Sequence, residues 1–332
     1  MNSYENKHLK FDTVKIRTNK EYLKNTFIKF NPRYKPNGDL INTFYNSKDD
    51  DRFIPYNLYI GISDKSLTLE FSFKVLLNDY PKLITKDSFK QCLENINQLV
   101  ICSLDVDSIA EDCYFSKVHI TNGIKYDLTD NILHSLNSCV DNYRRFKWER
   151  YRKDGIRFNK DVKSKSCKES IVIYDKEKEI IKNDDFLSVL NCPNKVISYF
   201  DGVTRFEMEL DTPKKICNAL NTDTSHISEI FSSNENPLLN QFNKIFEKTE
   251  IENKQYITNY ETYAMNAIID KHNGDIKKIE QEMKDLNIYS KNSRNGLSER
   301  MKKIKVLIRQ RNERLYKSSG ILADIRQKLS DK

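Results

Sequence analysis

The sequence predicts an α+β protein: a central antiparallel β-sheet with flanking helices, followed by an all-helical C-terminal region. Three observations carry this. Short stretches with apolar residues at every second position recur up to about residue 210, the period of a half-buried strand. Hairpin turn signals join several of them. After Thr212 the apolar spacing becomes helical, with no Pro- or Ser-rich linker at the change. The expected division is therefore an α+β part, 1–212, and a helical part, 213–332.

Taken in order, Leu9–Ile16 alternates well enough for an opening strand, with Phe11 and Val14 as partial core marks. Asn19 to Arg52 is polar, holds Pro32, Pro36 and Gly38, and reads as loop with at most one short strand. Leu58–Ser63 and Ser66–Val75 read as a hairpin around Asp64-Lys65. Asp87–Val100 carries Phe89, Leu93, Ile96 and Leu99 at helical spacing, with Asp87 as a candidate cap. Tyr114–Thr121 is another strand, and Thr129–Phe146 a helix with Ile132, Leu133, Leu136 and Val140 inward. Trp148 to Asn159 is a hairpin turned at Lys153-Asp154-Gly155. Ser170–Lys176 is a buried strand ending in charge, and a short helix follows near Phe186–Leu190. Beyond Thr212, helices are expected over Pro213–Leu220, His226–Phe231, Leu238–Lys248, Ile257–Lys271, Asp275–Leu286, Ser293–Gln310 and Ile321–Leu329.

Composition narrows the class. The 332 residues are 31% charged and 38% hydrophobic, and Tyr 18 and Phe 17 are too many aromatics for a disordered chain. Neither GxGxxG nor GxxxxGK[ST] is present, which argues against a Gly-rich phosphate loop. Seven cysteines, with no CxxC, suit a reduced, cytoplasmic protein. The opening residues Met1–Lys7 lack the apolar core of a signal peptide, and no apolar run reaches membrane-span length. The net charge of +8 is concentrated at one end: residues 291–332 hold thirteen Lys/Arg against four Asp/Glu. A near-neutral body with a basic end suggests a polyanionic partner, although a solvated helix rich in Lys has the same composition.

The most informative stretch is Thr204–Leu210. In a strand, Phe206, Met208 and Leu210 point into a core, leaving Arg205, Glu207 and Glu209 on the other face. Such charges pair with each other, face water or hold a metal, because burying them alone is costly. Four further pieces could share that face. His119 alternates with Val118 and Ile120, on the side of Lys117 and Thr121. Asp175, Lys176 and the following charges end a hydrophobic strand, where they could equally protect a sheet edge. Tyr256, Tyr260 and Tyr263 share one helical face, where an aromatic stripe packed on the sheet would look the same. The basic end is the last. One chemistry uses all five: a divalent metal held by histidine and carboxylates polarises a phosphate, a tyrosine hydroxyl attacks it, and a lysine neutralises the developing charge. Oxygen ligands with one imidazole suit Mg²⁺ or Mn²⁺.

These residues resemble the gene II/X-type replication initiators of filamentous phages and small plasmids, and more loosely the rolling-circle "Rep-trans" plasmid initiators. The likeness rests on Leu67–Ser72, Lys117–Thr121, Ile173–Glu179 and Arg205–Leu210, and covers most of residues 10–212. Its most specific part is Tyr174-Asp175-Lys176 followed, about thirty residues on, by Arg205-Phe206-Glu207. The resemblance implies a nuclease of the HUH-related class, with a metal on an antiparallel sheet and a tyrosine that nicks one DNA strand. It implies His119 and Glu207 as metal ligands and Lys176 as a phosphate-side lysine. Lys117 and Thr121 stand where the family's paired histidines would continue, so the third ligand is Glu209 or Asp175. Tyr260 is placed first among the three tyrosines because it is central. Arg205 is expected beside a phosphate or carboxylate, and Arg205 and Lys117 are expected, with the basic residues of the C-terminal helix, to contact DNA.

Residues 275–286 and the helix from Ser293, with Arg294, Arg300, Lys302 and Lys303, resemble a helix-turn-helix, with a helical hairpin packed on the nuclease as the equal alternative. The expected activity is metal-dependent nicking and joining of origin DNA, duplex and single-stranded, through a 5′-phosphotyrosine. Without a Walker loop, a host helicase and DNA polymerase are the implied partners. A non-catalytic DNA-binding protein, such as a repressor or partition factor, and a mobilisation relaxase are the alternatives.

Overall fold

A computed structural model describes residues 9–50, 52, 54–129, 132–133, 136, 146–152, 154–160, 170–246, 260–272, 274–286, 296–319 and 321–331. Ten strands form one sheet: β1 (Phe11–Asn19), β3 (Asn31–Tyr34), β4 (Leu40–Asn46), β5 (Leu58–Ile62), β6 (Ser66–Ser72), β8 (Tyr114–Lys125), β9 (Phe146–Tyr151), β10 (Gly155–Lys160), β11 (Ser170–Asp175) and β12 (Val203–Leu210). Their order is β3-β4-β5-β6-β1-β8-β12-β11-β10-β9, and every neighbouring pair is antiparallel. Two further strands, β2 (Leu23–Thr26) and β7 (Cys102–Leu104), pair separately.

Alternation decides which face each residue takes. On β6, Leu67, Leu69 and Phe71 are buried while Thr68, Glu70 and Ser72 are half-buried. On β12, Phe206, Met208 and Leu210 are buried as the period requires. Helices cover the apolar face. Phe89 of the helix Lys86–Gln98 meets Phe71, and Phe242 and Phe246 of the helix Pro237–Phe246 meet Phe206 and Phe158. Leu322, Ile325 and Leu329 of the helix Ile321–Ser330 belong to the same core, so helices from beyond Thr212 pack directly on the sheet. The helices Tyr260–Lys271, Ile276–Asp285 and Gly296–Ser319 instead share a small apolar cluster of Met265, Ile269, Ile279, Met283, Met301 and Ile304.

Two expectations change. The polar stretch 19–52 contributes three strands, of which β3 is exposed at every position. Pro32 fits there because an edge strand need not donate on its open side, and solvent on both faces removes the periodic signal. Thr85, not Asp87, caps the first long helix: its hydroxyl accepts from Ser88 N and its N–H donates to Ser88 Oγ. The helix expected over Thr129–Phe146 lies largely outside the described residues.

Gly155 follows the D-G turn signal for a second reason. A Cβ there would lie 2.7 Å from Tyr174 Cβ and 2.8 Å from Ile173 O. Gly155→Ala should therefore cost about 1–3 kcal/mol of stability by overpacking, measured by urea unfolding.

Candidate active site

The sheet's other face carries the charged residues. One half of it neutralises itself across four strands. Lys15 reaches Glu70 at 3.0 Å, Lys117 lies between Glu70 at 3.5 Å and Glu209 at 3.4 Å, and His119 Nε2 is 3.4 Å from Glu209 Oε1. His119 is the chief reason that the Glu209 carboxyl is held down at about 2, with Lys117 adding to the effect against partial burial. Lys117 thus sits between two carboxylates.

The other half descends into a polar cleft of about 480 Å³, lined by residues that include Asp12, His119, Tyr151, Tyr174, Lys176, Glu207 and Glu209. Glu207 accepts a 2.6 Å hydrogen bond from Tyr174 Oη. Burial, then the negative charge of Asp12, pushes the Glu207 carboxyl above its usual range, while Arg205 and Lys176 pull the other way. Asp12 reaches this group through a β-bulge: Phe11 pairs with Ile120 and Thr13 with His119, which leaves Asp12 as the extra residue on β1. A bulge re-aims one side chain without disturbing the faces of its neighbours. Thr13 Oγ1 donates to Asp12 Oδ2 at 2.8 Å.

Arg205 is 1% exposed. Its guanidinium sits over the rings of Phe73 and Phe200, 5.2 and 5.3 Å from their centroids, and Nη1 is 3.8 Å from Asp12 Oδ1. It is a carboxylate partner inside the protein, which corrects its assignment to DNA contact: the aromatic cover keeps it from solvent. Lys176 is equally enclosed, within 6 Å of four aromatic ring centroids and ion-paired to Glu179. Burial, reinforced by Arg205, lowers its affinity for the proton. The charges at 175–179 do not protect a sheet edge. They begin the helix Lys176–Ile181, whose N-cap is Asp175, accepting from Lys178 N at 3.0 Å and paired with Lys178 Nζ at 3.0 Å. Alternation puts Asp175 opposite to Tyr174, so it does not join Glu207 as a ligand.

Tyr260 and Tyr263 are 84% and 58% exposed and are not among the cleft-lining residues. Tyr256 and Arg294 lie outside the described residues. Arg300 and Lys303 both pair with Glu261, and Lys302 pairs with Glu299 at 2.8 Å.

Asp12 is the site residue that alternation missed. Its signal was the spacing of Phe11 and Val14: two core residues three apart cannot share a face of a regular strand, so an extra residue had to lie between them. Among the described residues no group of three His, Cys, Asp or Glu forms a ready-made metal cluster. The donor set still suits a hard divalent ion. Mg²⁺ is commonly held by one or two carboxylates, with waters and substrate phosphate completing its shell, and Asp12 and Glu207 form such a pair.

Among the described residues no helix is long and apolar enough to cross a membrane. No protein-family model matches the chain, and comparison with curated proteins finds no match.

Proposed function

We propose that this chain is a rolling-circle replication initiator, a metal-dependent nuclease that nicks and rejoins one DNA strand through a phosphotyrosine. The observation that carries the reading is the carboxylate pair Asp12 and Glu207, set in a polar cleft on one face of a large antiparallel sheet beside Arg152, Arg157 and Lys176. Asp12 and Glu207 would hold Mg²⁺ or Mn²⁺, which supplies Lewis-acid polarisation of the scissile phosphate and relieves the repulsion between the two carboxylates. Tyr174 orients Glu207 through its hydrogen bond. Arg152 and Arg157 on the cleft wall attract the strand and offset phosphate charge, while Lys176 stays enclosed with Glu179. The HUH arrangement and the helix-turn-helix belong to this proposal, with the helix Gly296–Ser319 as the duplex contact, and host helicase and polymerase as partners.

The test is a denaturation-resistant protein–DNA adduct formed with Mn²⁺ and single-stranded DNA. An adduct supports the nuclease. Salt-sensitive binding without nick or adduct supports the repressor or partition reading. Truncation at residue 291 is a poor probe of binding, because it strips Leu322, Ile325 and Leu329 from the core. Lys302→Gln with Lys303→Gln is cleaner: duplex affinity should fall and the slope of log K against log salt flatten by about 1–2, measured by fluorescence anisotropy.

A further inference from the structure

We propose that Tyr151, not a tyrosine of the helix Tyr260–Lys271, is the residue that accepts the DNA phosphate. The inference rests on the nuclease reading above and names its nucleophile. Four tyrosines line the cleft: Tyr56, Tyr80, Tyr151 and Tyr174. Tyr56, Tyr80 and Tyr174 are buried, and the Tyr174 hydroxyl is committed to Glu207. Tyr151 alone of the four is half-buried, so a phosphate entering the cleft can reach it.

Its surroundings fit the task. The Arg157 and Arg152 guanidinium carbons lie 4.9 and 5.4 Å from the Tyr151 ring centroid. Burial, joined by the charges of Glu207 and Glu179, raises the Tyr151 phenol above its ordinary value, and Arg152 and Arg157 pull the other way; the same fork-shaped groups suit phosphate oxygens. The ring is 5.5 Å from that of Tyr174, which links it to the Asp12–Glu207 pair. The hairpin holds this position. Tyr151 ends β9 opposite Gly155, and Arg152 turns the chain in the left-handed region with φ 53°. Asp154 is tied by Lys182 Nζ at 2.6 Å. Arg152 also reaches Glu179 at 3.4 Å, joining the turn to the Lys176 helix.

In the step, a lone pair of Tyr151 Oη forms the new O–P bond as the bond from phosphorus to the 3′ oxygen breaks. The bonding pair leaves with the 3′ oxygen, which takes a proton from water and becomes a 3′-hydroxyl. The phenolic proton passes to water at the cleft mouth. The reverse transfer rejoins the strand, and no oxidant or reductant is needed.

The experiment incubates the full chain with Mn²⁺ and a randomised single-stranded DNA library, isolates the adduct and maps the modified peptide by mass spectrometry. The phosphate is expected on Tyr151. Tyr151→Phe should lower adduct yield by on the order of 10³-fold or more, while Tyr260→Phe and Tyr263→Phe retain it. A wild-type adduct mapped to any other residue overturns this assignment and leaves the nuclease reading standing. Absence of any wild-type adduct overturns both. Peptide mapping of the wild-type chain decides the matter even where Tyr151→Phe misfolds.

Discussion

Glu207→Gln is expected to abolish strand nicking and to make the metal-free fold more stable at neutral pH. The loss of activity should be at least about 10²-fold, because an amide cannot replace a carboxylate as an anionic ligand for a divalent ion. The gain in stability follows from the sign of the carboxyl's shift. Burial and Asp12 raise Glu207 in the folded chain, so the folded state holds this proton more tightly than the unfolded state does. The stability associated with the protonated form is full below the unfolded value of about 4.3 and is lost as pH rises through the folded value. The amide has no charge to bury and keeps an oxygen to accept from Tyr174. The melting temperature of the variant should exceed that of the parent chain, and the gap should widen from pH 5 to pH 7. A variant less stable at both pH values would show that Glu207 is not penalised by its surroundings.

Arg205→Met should have the largest effect on stability, about 3–5 kcal/mol in urea unfolding. Arg205 is fully enclosed and is paired with Asp12. Methionine fills much of the same space between Phe73 and Phe200 but leaves Asp12 and Glu207 with less compensation. Adding Glu207→Gln to Arg205→Met should recover a large part of the loss, a coupling of about 0.5–3 kcal/mol. Additive losses would mean that Arg205 acts through packing against the rings alone.

The strands whose two faces differ were legible in the sequence. β6, β8 and β12 each bury one apolar face and carry polar residues on the other, β11 is an apolar run buried on both faces, and both hairpins, at Asp64-Lys65 and at Asp154-Gly155, stand as expected. β3 was not legible, because a strand exposed at every position has no reason to alternate, and β4 fully buries only Tyr45 and so shows little period. The site was half legible. Glu207, His119 and Glu209 share the face that alternation predicts. Arg205 was taken for an open position because strand period says nothing of what lies above a face; here it is Phe73, from a distant segment, and Phe200, from the end of the helix that leads into the strand. Asp175 and Lys176 were read as strand-end charges, although Asp at an N-cap and the Lys176–Glu179 spacing of three are helix signals. Tyr151 carries no local mark, and only the sheet order brings it near Glu207.

The sheet order also sets a timetable for synthesis. The three central strands, β1, β8 and β12, come from residues 11–19, 114–125 and 203–210. Asp12 leaves the ribosome almost two hundred residues before Glu207. At about 5–20 residues per second the carboxylate pair is separated by roughly 10–40 s of translation. The half-sheet β3-β4-β5-β6-β1 is complete in sequence long before β12, so its β1 side must be met by β8 and then wait for the last partner. A nascent chain stalled before residue 203 can pair much of its sheet and still lack the Asp12–Glu207 pair, so the cleft comes into being only when both ends of that timetable meet.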